Sequence, residues 1–164
     1  MHEGNLTLAL ADEAATLALG AALARHLGRG MVIWLEGDLG AGKTTLVRGL
    51  LRAAGEAGPV KSPTYALVEV HPLSGLNFYH FDFYRFDRAE DYLDAGLDEY
   101  FSGDGICLVE WPERAAPYLP HPDMQIDLRL ATAGSGRDAT IAACTERGRT
   151  CLAAVRSSAS PPPA

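Results

Sequence analysis

The run Gly37-Asp38-Leu39-Gly40-Ala41-Gly42-Lys43-Thr44-Thr45 meets every fixed position of G-x-x-x-x-G-K-[ST]. Glycines let a backbone turn tightly and approach an anion with no Cβ in the way. Successive amide N–H groups then converge on a phosphate as a nest. A helix opening at Lys43 adds its own unsatisfied N–H groups and dipole to that attraction. In such a cradle Lys43 bridges β- and γ-phosphates, and the Thr44 hydroxyl ligates Mg²⁺. The apolar run Met31–Glu36 precedes the glycines and a helical pattern follows them, which is the strand–turn–helix context the motif requires.

A phosphate-bound Mg²⁺ also needs an acid, usually at the end of a neighbouring apolar strand. Two positions qualify. Asp82 lies within the β-prone stretch Phe78–Arg85, where an acid is costly unless paired or metal-bound. Glu110 directly follows Ile106–Val109 and precedes Trp111-Pro112. The alternatives are a salt bridge from Asp82 to Arg85 or another base, and for Glu110 a helix N-terminal acid or an exposed charge. Working together, one would hold the metal while the other orients an attacking water. His80 shares a strand face with Asp82 and Tyr84, and a lone His in an aromatic strand is more often packed than catalytic. The turn Lys61-Ser62-Pro63-Thr64-Tyr65 reads equally as a plain turn or as a loop whose Thr64 senses a γ-phosphate.

The elements that must position these groups read as an α/β chain. Strands are expected at Leu6–Leu10, Met31–Glu36, Ile106–Val109, Met124–Leu130 and Ala139–Cys144. A hairpin is expected from Ala66–Val70 and Leu76–Phe86 around the turn at Pro72–Gly75. Helices are expected at Ala14–Leu27, Lys43–Ala54 and, briefly, Ala89–Asp94. The prolines after Glu110 mark a loop with one helical turn. A further strand is expected at Cys151–Val155. The whole predicts a P-loop NTPase fold in one domain over residues 1–156: a mixed, mostly parallel central sheet flanked by helices, with antiparallel C-terminal strands. The Ser/Pro-rich tail 157–164 has nothing to bury and is expected to be disordered.

Composition narrows the class. With 164 residues, 48% hydrophobic and 21% charged, the chain can fold as one globular domain. A net charge of −7 argues against direct, sequence-independent nucleic-acid binding. Cys107, Cys144 and Cys151 are too few and scattered for a disulfide framework or a zinc site. With no leader-like N-terminus and no apolar run long enough for a membrane, a cytoplasmic protein is expected.

The combination of Gly37–Thr45, Ser62-Pro63-Thr64-Tyr65, His80–Arg85 and Val109–Pro112, in this order, resembles the bacterial TsaE (YjeE) family. The resemblance spans about residues 5–155. It implies an ATPase, with ATP and Mg²⁺ as cofactors, that acts with TsaB and TsaD to modify adenosine 37 of tRNA to N6-threonylcarbamoyladenosine. The tRNA would be met only through that complex. By the same resemblance, Gly40–Thr45 hold the nucleotide, Thr44, Glu110 and the Walker-B-like Asp82 attend the Mg²⁺, and Thr64 is a switch threonine. Thr16 and Arg137 fall where family members approach the nucleotide. No arginine finger within the chain is evident beyond the candidates Arg85 and Arg137. A rival of another class is a non-catalytic switch whose bound nucleotide controls assembly with a partner. A small-molecule kinase fits less well, since no arginine-rich lid or acceptor pocket is legible.

Overall fold

The structure is a computed structural model and describes residues 4–132 and 134–159. Seven strands form one sheet: β1 (Asn5–Leu10), β2 (Val32–Glu36), β3 (Val68–Leu73), β4 (Leu76–Asp82), β5 (Ile106–Glu110), β6 (Met124–Leu130) and β7 (Arg137–Ala143). Their order is β1-β7-β6-β2-β5-β4-β3. The β6-β2-β5-β4 centre is parallel, while β1, β7 and β3 pair antiparallel at the two sides. The sheet is thus mixed and parallel in its middle, as the sequence predicts.

Three helices cover one face: α1 (Glu13–Ala24), α2 (Lys43–Ala54) and α4 (Glu146–Ala159), with the one-turn α3 (Asp91–Asp94) elsewhere. Their apolar sides, including Leu19, Leu23, Val47, Leu51, Leu152 and Val155, share a core with Ile33, Leu35, Leu108 and Ile126 of the strands. Among the described residues the other face carries no long helix. There Phe81 of β4 and Phe83, Phe86 and Tyr92 of the chain that follows it form an aromatic cluster with Val32 and Val109. Phe83 and Phe86 stack with centroids 4.9 Å apart.

Most boundaries fall within three residues of expectation, and each has a local cause. Asp12 caps α1 by accepting from the Ala15 amide at 2.9 Å. The hairpin turns on two residues, Ser74 (φ 53°) and Gly75 (φ 78°), which is the pair of left-handed conformations a tight hairpin needs. Pro72 therefore lies in β3 rather than in the turn, tolerated because β3 is an edge strand.

One expected element is wrong: Cys151–Val155 is not a strand but part of α4. Cys151, Leu152 and Val155 are buried at helical spacing, and Thr145 starts the helix by accepting from the Gly148 amide at 3.0 Å. The same helix corrects the tail boundary. Ser157–Ala159 belong to α4, with Ser158 Oγ 3.3 Å from His26 Nε2, and residues 160–164 lie outside the described residues.

α1 and α2 approach closely enough that two glycines become obligatory. A Cβ on Gly49 would lie 2.3 Å from the Leu17 carbonyl oxygen, and one on Gly20 would lie 2.3 Å from that of Leu46. Because α2 carries Lys43 and Thr44, this contact fixes the helix that presents them. Gly49→Ala is expected to cost about 2 kcal/mol through overpacking. That lowers the melting temperature by roughly 4–8 °C for a chain of this size. An unchanged melting temperature would show that the two helices are not in this close contact.

Candidate functional site

β2 ends at Glu36, and the chain must turn at once to enter α2. Gly37 (φ 142°) and Gly42 (φ 108°, the residue capping α2) supply the left-handed conformations. A Cβ on Gly37 would also lie 2.4 Å from the Leu128 carbonyl oxygen. The resulting loop wraps a cavity of about 480 Å³ at the carboxyl end of the parallel strands, where ligands bind in open α/β sheets.

Lys43 is 5% exposed. Its ammonium donates to the Gly37 carbonyl and lies 3.5 Å from the centre of the Trp111 ring. Burial holds Lys43 below the usual lysine range, against the opposing pull of Glu110, Glu113, Asp82 and Asp38. Trp111 reaches this position through a left-handed backbone (φ 59°), an uncommon conformation for so bulky a residue.

The two acids meet where the sequence places them. β4 and β5 are parallel neighbours, and Asp82 pairs in register with Glu110. Glu110, 2% exposed, accepts from the Thr44 hydroxyl with both oxygens, each at 3.1 Å. It is therefore neither an exposed charge nor a helix cap. Asp82 accepts from the Ser62 hydroxyl, from Thr64 at 3.4 Å and from the Tyr84 amide at 2.9 Å. Its partners are hydroxyls and an amide, not Arg85. Thr64 thus sits directly on the acid that ends β4.

Thr16, Leu39, Gly40, Ala41, Gly42, Lys43, Thr44, Thr45, Thr64, Asp82, Glu110 and Arg137 all line this cavity. Gly37 and Asp38 do not. They open on an adjoining recess with Glu36, Glu113 and Asp127, where burial and those two acids raise the Glu36 carboxyl. Arg137 is the first residue of β7 rather than part of the turn before it. Its guanidinium donates to the carbonyls of Ala41 at 3.0 Å and Gly40 at 3.1 Å, bracing the glycine loop. Arg85 donates to the Tyr65 carbonyl at 3.2 Å and lies over the Tyr65 ring. Both arginines are thus engaged by protein groups.

Six lining residues are not among the site residues read from the sequence: Asp12, Glu13, Ser62, Tyr84, Trp111 and Ser135. Ser62 and Trp111 adjoin motif residues, so proximity in sequence is the signal that could have found them. The approach of Ser135 depends on where the β6–β7 connection folds.

The donor set suits a hard divalent cation. A hydroxyl and two buried carboxylates supply oxygen only. Among the described residues no cluster of three or more His, Cys, Asp or Glu could hold a metal by itself. A cation here would complete its coordination with phosphate oxygens and water, which is the habit of Mg²⁺. Among the described residues, too, no helix is long and apolar enough to cross a membrane.

A family model described as "Threonylcarbamoyl adenosine biosynthesis protein TsaE" matches residues 10–139. The tRNA threonylcarbamoyladenosine biosynthesis protein TsaE of Haemophilus influenzae is 42% identical over 129 residues, covering 76% of this chain and 82% of that one. Its counterpart in Bacillus subtilis is 40% identical over 116 residues, covering 71% and 72%. The crystal structure of Bacillus subtilis YdiB superposes with a TM-score of 0.82 at 31% identity, covering 95% of this chain and 97% of that one. By sequence and by fold, the chain belongs to the TsaE family of tRNA threonylcarbamoyladenosine biosynthesis proteins.

Proposed function

We propose that this chain binds ATP with Mg²⁺ in the glycine-loop cavity and hydrolyses it, acting with TsaB and TsaD in forming N6-threonylcarbamoyladenosine at position 37 of tRNA. The observation that carries this reading is the convergence of Lys43, Thr44 and Glu110 at the mouth of a left-handed glycine loop, with Asp82 in register beside Glu110. Backbone amides of Gly40–Thr45 and the start of α2 hold the phosphates. Lys43 exchanges the Gly37 carbonyl for phosphate oxygens and stabilises charge that develops on the transferring group. Thr44 and Glu110 take the metal, whose chemistry is to neutralise phosphate charge when bound. Asp82, already bonded to Ser62 and Thr64, couples the 61–67 loop to that centre and is placed to orient water. Thr16 and Arg137 line the same cavity as these acids.

Arg85 and Arg137 donate to protein carbonyls, which favours a partner as the source of an additional positive charge at the transferring phosphate. Hydrolysis by the isolated chain is therefore slow and rises when TsaB and TsaD are added. Phosphate release measured with and without the two partners tests this. Turnover by the chain alone equal to that of the full mixture would refute it.

A further inference from the structure

β4 carries one more polar side chain on the face that bears Asp82. His80 is fully buried, two residues deeper in the sheet, where Phe78 is the next residue inward on the same face. Its Nε2 lies 2.5 Å from Glu110 Oε2, while its Nδ1 is buried without a hydrogen-bond partner. An ionised carboxylate only accepts, so Nε2 carries the hydrogen of this contact, while Nδ1 is left without a partner. For stability alone this is a poor choice. An orphaned polar atom in a buried site is a net cost, and Leu108 is the residue in register beside this position on β5. The one thing the imidazole does that a hydrocarbon cannot is hold Glu110.

That hold has a definite geometric consequence. Glu110 is the last residue of β5, and its carboxylate is free to rotate about its terminal torsion unless both sides are engaged. The Thr44 hydroxyl engages it from α2, and His80 engages Oε2 from beneath. The pair thereby fixes the carboxylate against the start of α2.

We propose that His80 is a positioning residue for Glu110: it sets the orientation in which that carboxylate and Thr44 receive the divalent cation. The proposal rests on the nucleotide-binding reading above and adds a residue to it. It does not require His80 to touch nucleotide or metal. Outer hydrogen-bond partners of this kind typically change metal affinity by 10–100-fold when removed.

The test is the Mg²⁺ dependence of binding, read by calorimetry with a non-hydrolysable ATP analogue, first in EDTA and then over a Mg²⁺ series. His80→Phe and His80→Leu remove the donor while bracketing the ring's volume, and His80→Gln retains an N–H donor. The donor-less variants are expected to bind the analogue in EDTA as the wild type does. They are expected to require roughly tenfold more Mg²⁺ for the half-maximal gain in affinity. His80→Gln is expected to recover most of that loss. In a Glu110→Ala background, His80→Leu is expected to add nothing. Equal losses with and without Mg²⁺ would make His80 a packing residue and overturn the proposal. An unchanged Mg²⁺ response would overturn it too, as would loss of the folded transition in both donor-less variants. A wild-type protein whose affinity ignores Mg²⁺ would instead remove the nucleotide–metal reading, visibly in the parent alone, and this inference with it.

Discussion

Lys43→Ala is expected to reduce ATP turnover in the presence of TsaB and TsaD by at least about 10²-fold, the scale set by removing one preorganised donor to a developing anion. The ammonium is the only cation that the glycine loop itself presents to the cavity, and burial has already stripped much of its water. Its charge is therefore worth more to a phosphate there than at a surface. Lys43→Arg is expected not to rescue, because a forked guanidinium does not reproduce the compact point charge that the ammonium presents between the Gly37 carbonyl and the Trp111 ring. Folding is expected to survive. Since burial disfavours the ammonium in the folded chain, replacing it with alanine removes a desolvation cost. Near-normal turnover in Lys43→Ala would exclude the loop as the catalytic phosphate site.

Glu110→Gln is expected to separate binding from chemistry. The amide keeps the shape of the side chain and can still accept from Thr44 and His80 through its oxygen, but it removes the negative charge that meets a cation. Nucleotide affinity in EDTA is expected to hold, and the gain in affinity on adding Mg²⁺ to shrink. Phosphate release with partners is expected to fall by roughly 10²-fold. Asp82→Asn is expected to be milder in metal dependence, because the Asp82 carboxylate is committed to Ser62, Thr64 and the Tyr84 amide. A larger loss of Mg²⁺ response in Asp82→Asn than in Glu110→Gln would mean that Asp82, not Glu110, carries the metal.

Much of this site is legible in the chain because its parts are local. Gly37 to Thr45 form a single turn and helix start, and Glu110 ends an apolar strand, so neighbouring residue types suffice to place them. The role of Asp82 is only half legible. A strand-end acid can be recognised, but its bonds to Ser62 and Thr64 depend on how the 61–67 loop returns across the end of β4. His80 is opaque for the same reason: its partner lies 30 residues away on the adjacent parallel strand, and period-two alternation gives the face without the neighbour. The error at Cys151–Val155 has another cause. Ala153 and Ala154 fit either period, and the capping Thr145 that decides for a helix stands outside the apolar window. The family resemblance places Arg137 beside the nucleotide, and its donation to the Gly40 and Ala41 carbonyls is a contact over 97 and 96 residues of sequence that no local pattern encodes.

The most direct test follows ATP hydrolysis and threonylcarbamoyladenosine formation together, over many turnovers, in a mixture of TsaB, TsaD, tRNA and either the wild-type chain or Glu110→Gln. The ATPase account predicts that Glu110→Gln, although it binds nucleotide, fails to sustain modification to the degree that it fails to hydrolyse. Sustained modification by a variant that binds ATP without turning it over would contradict that account and make the bound nucleotide a switch for assembly.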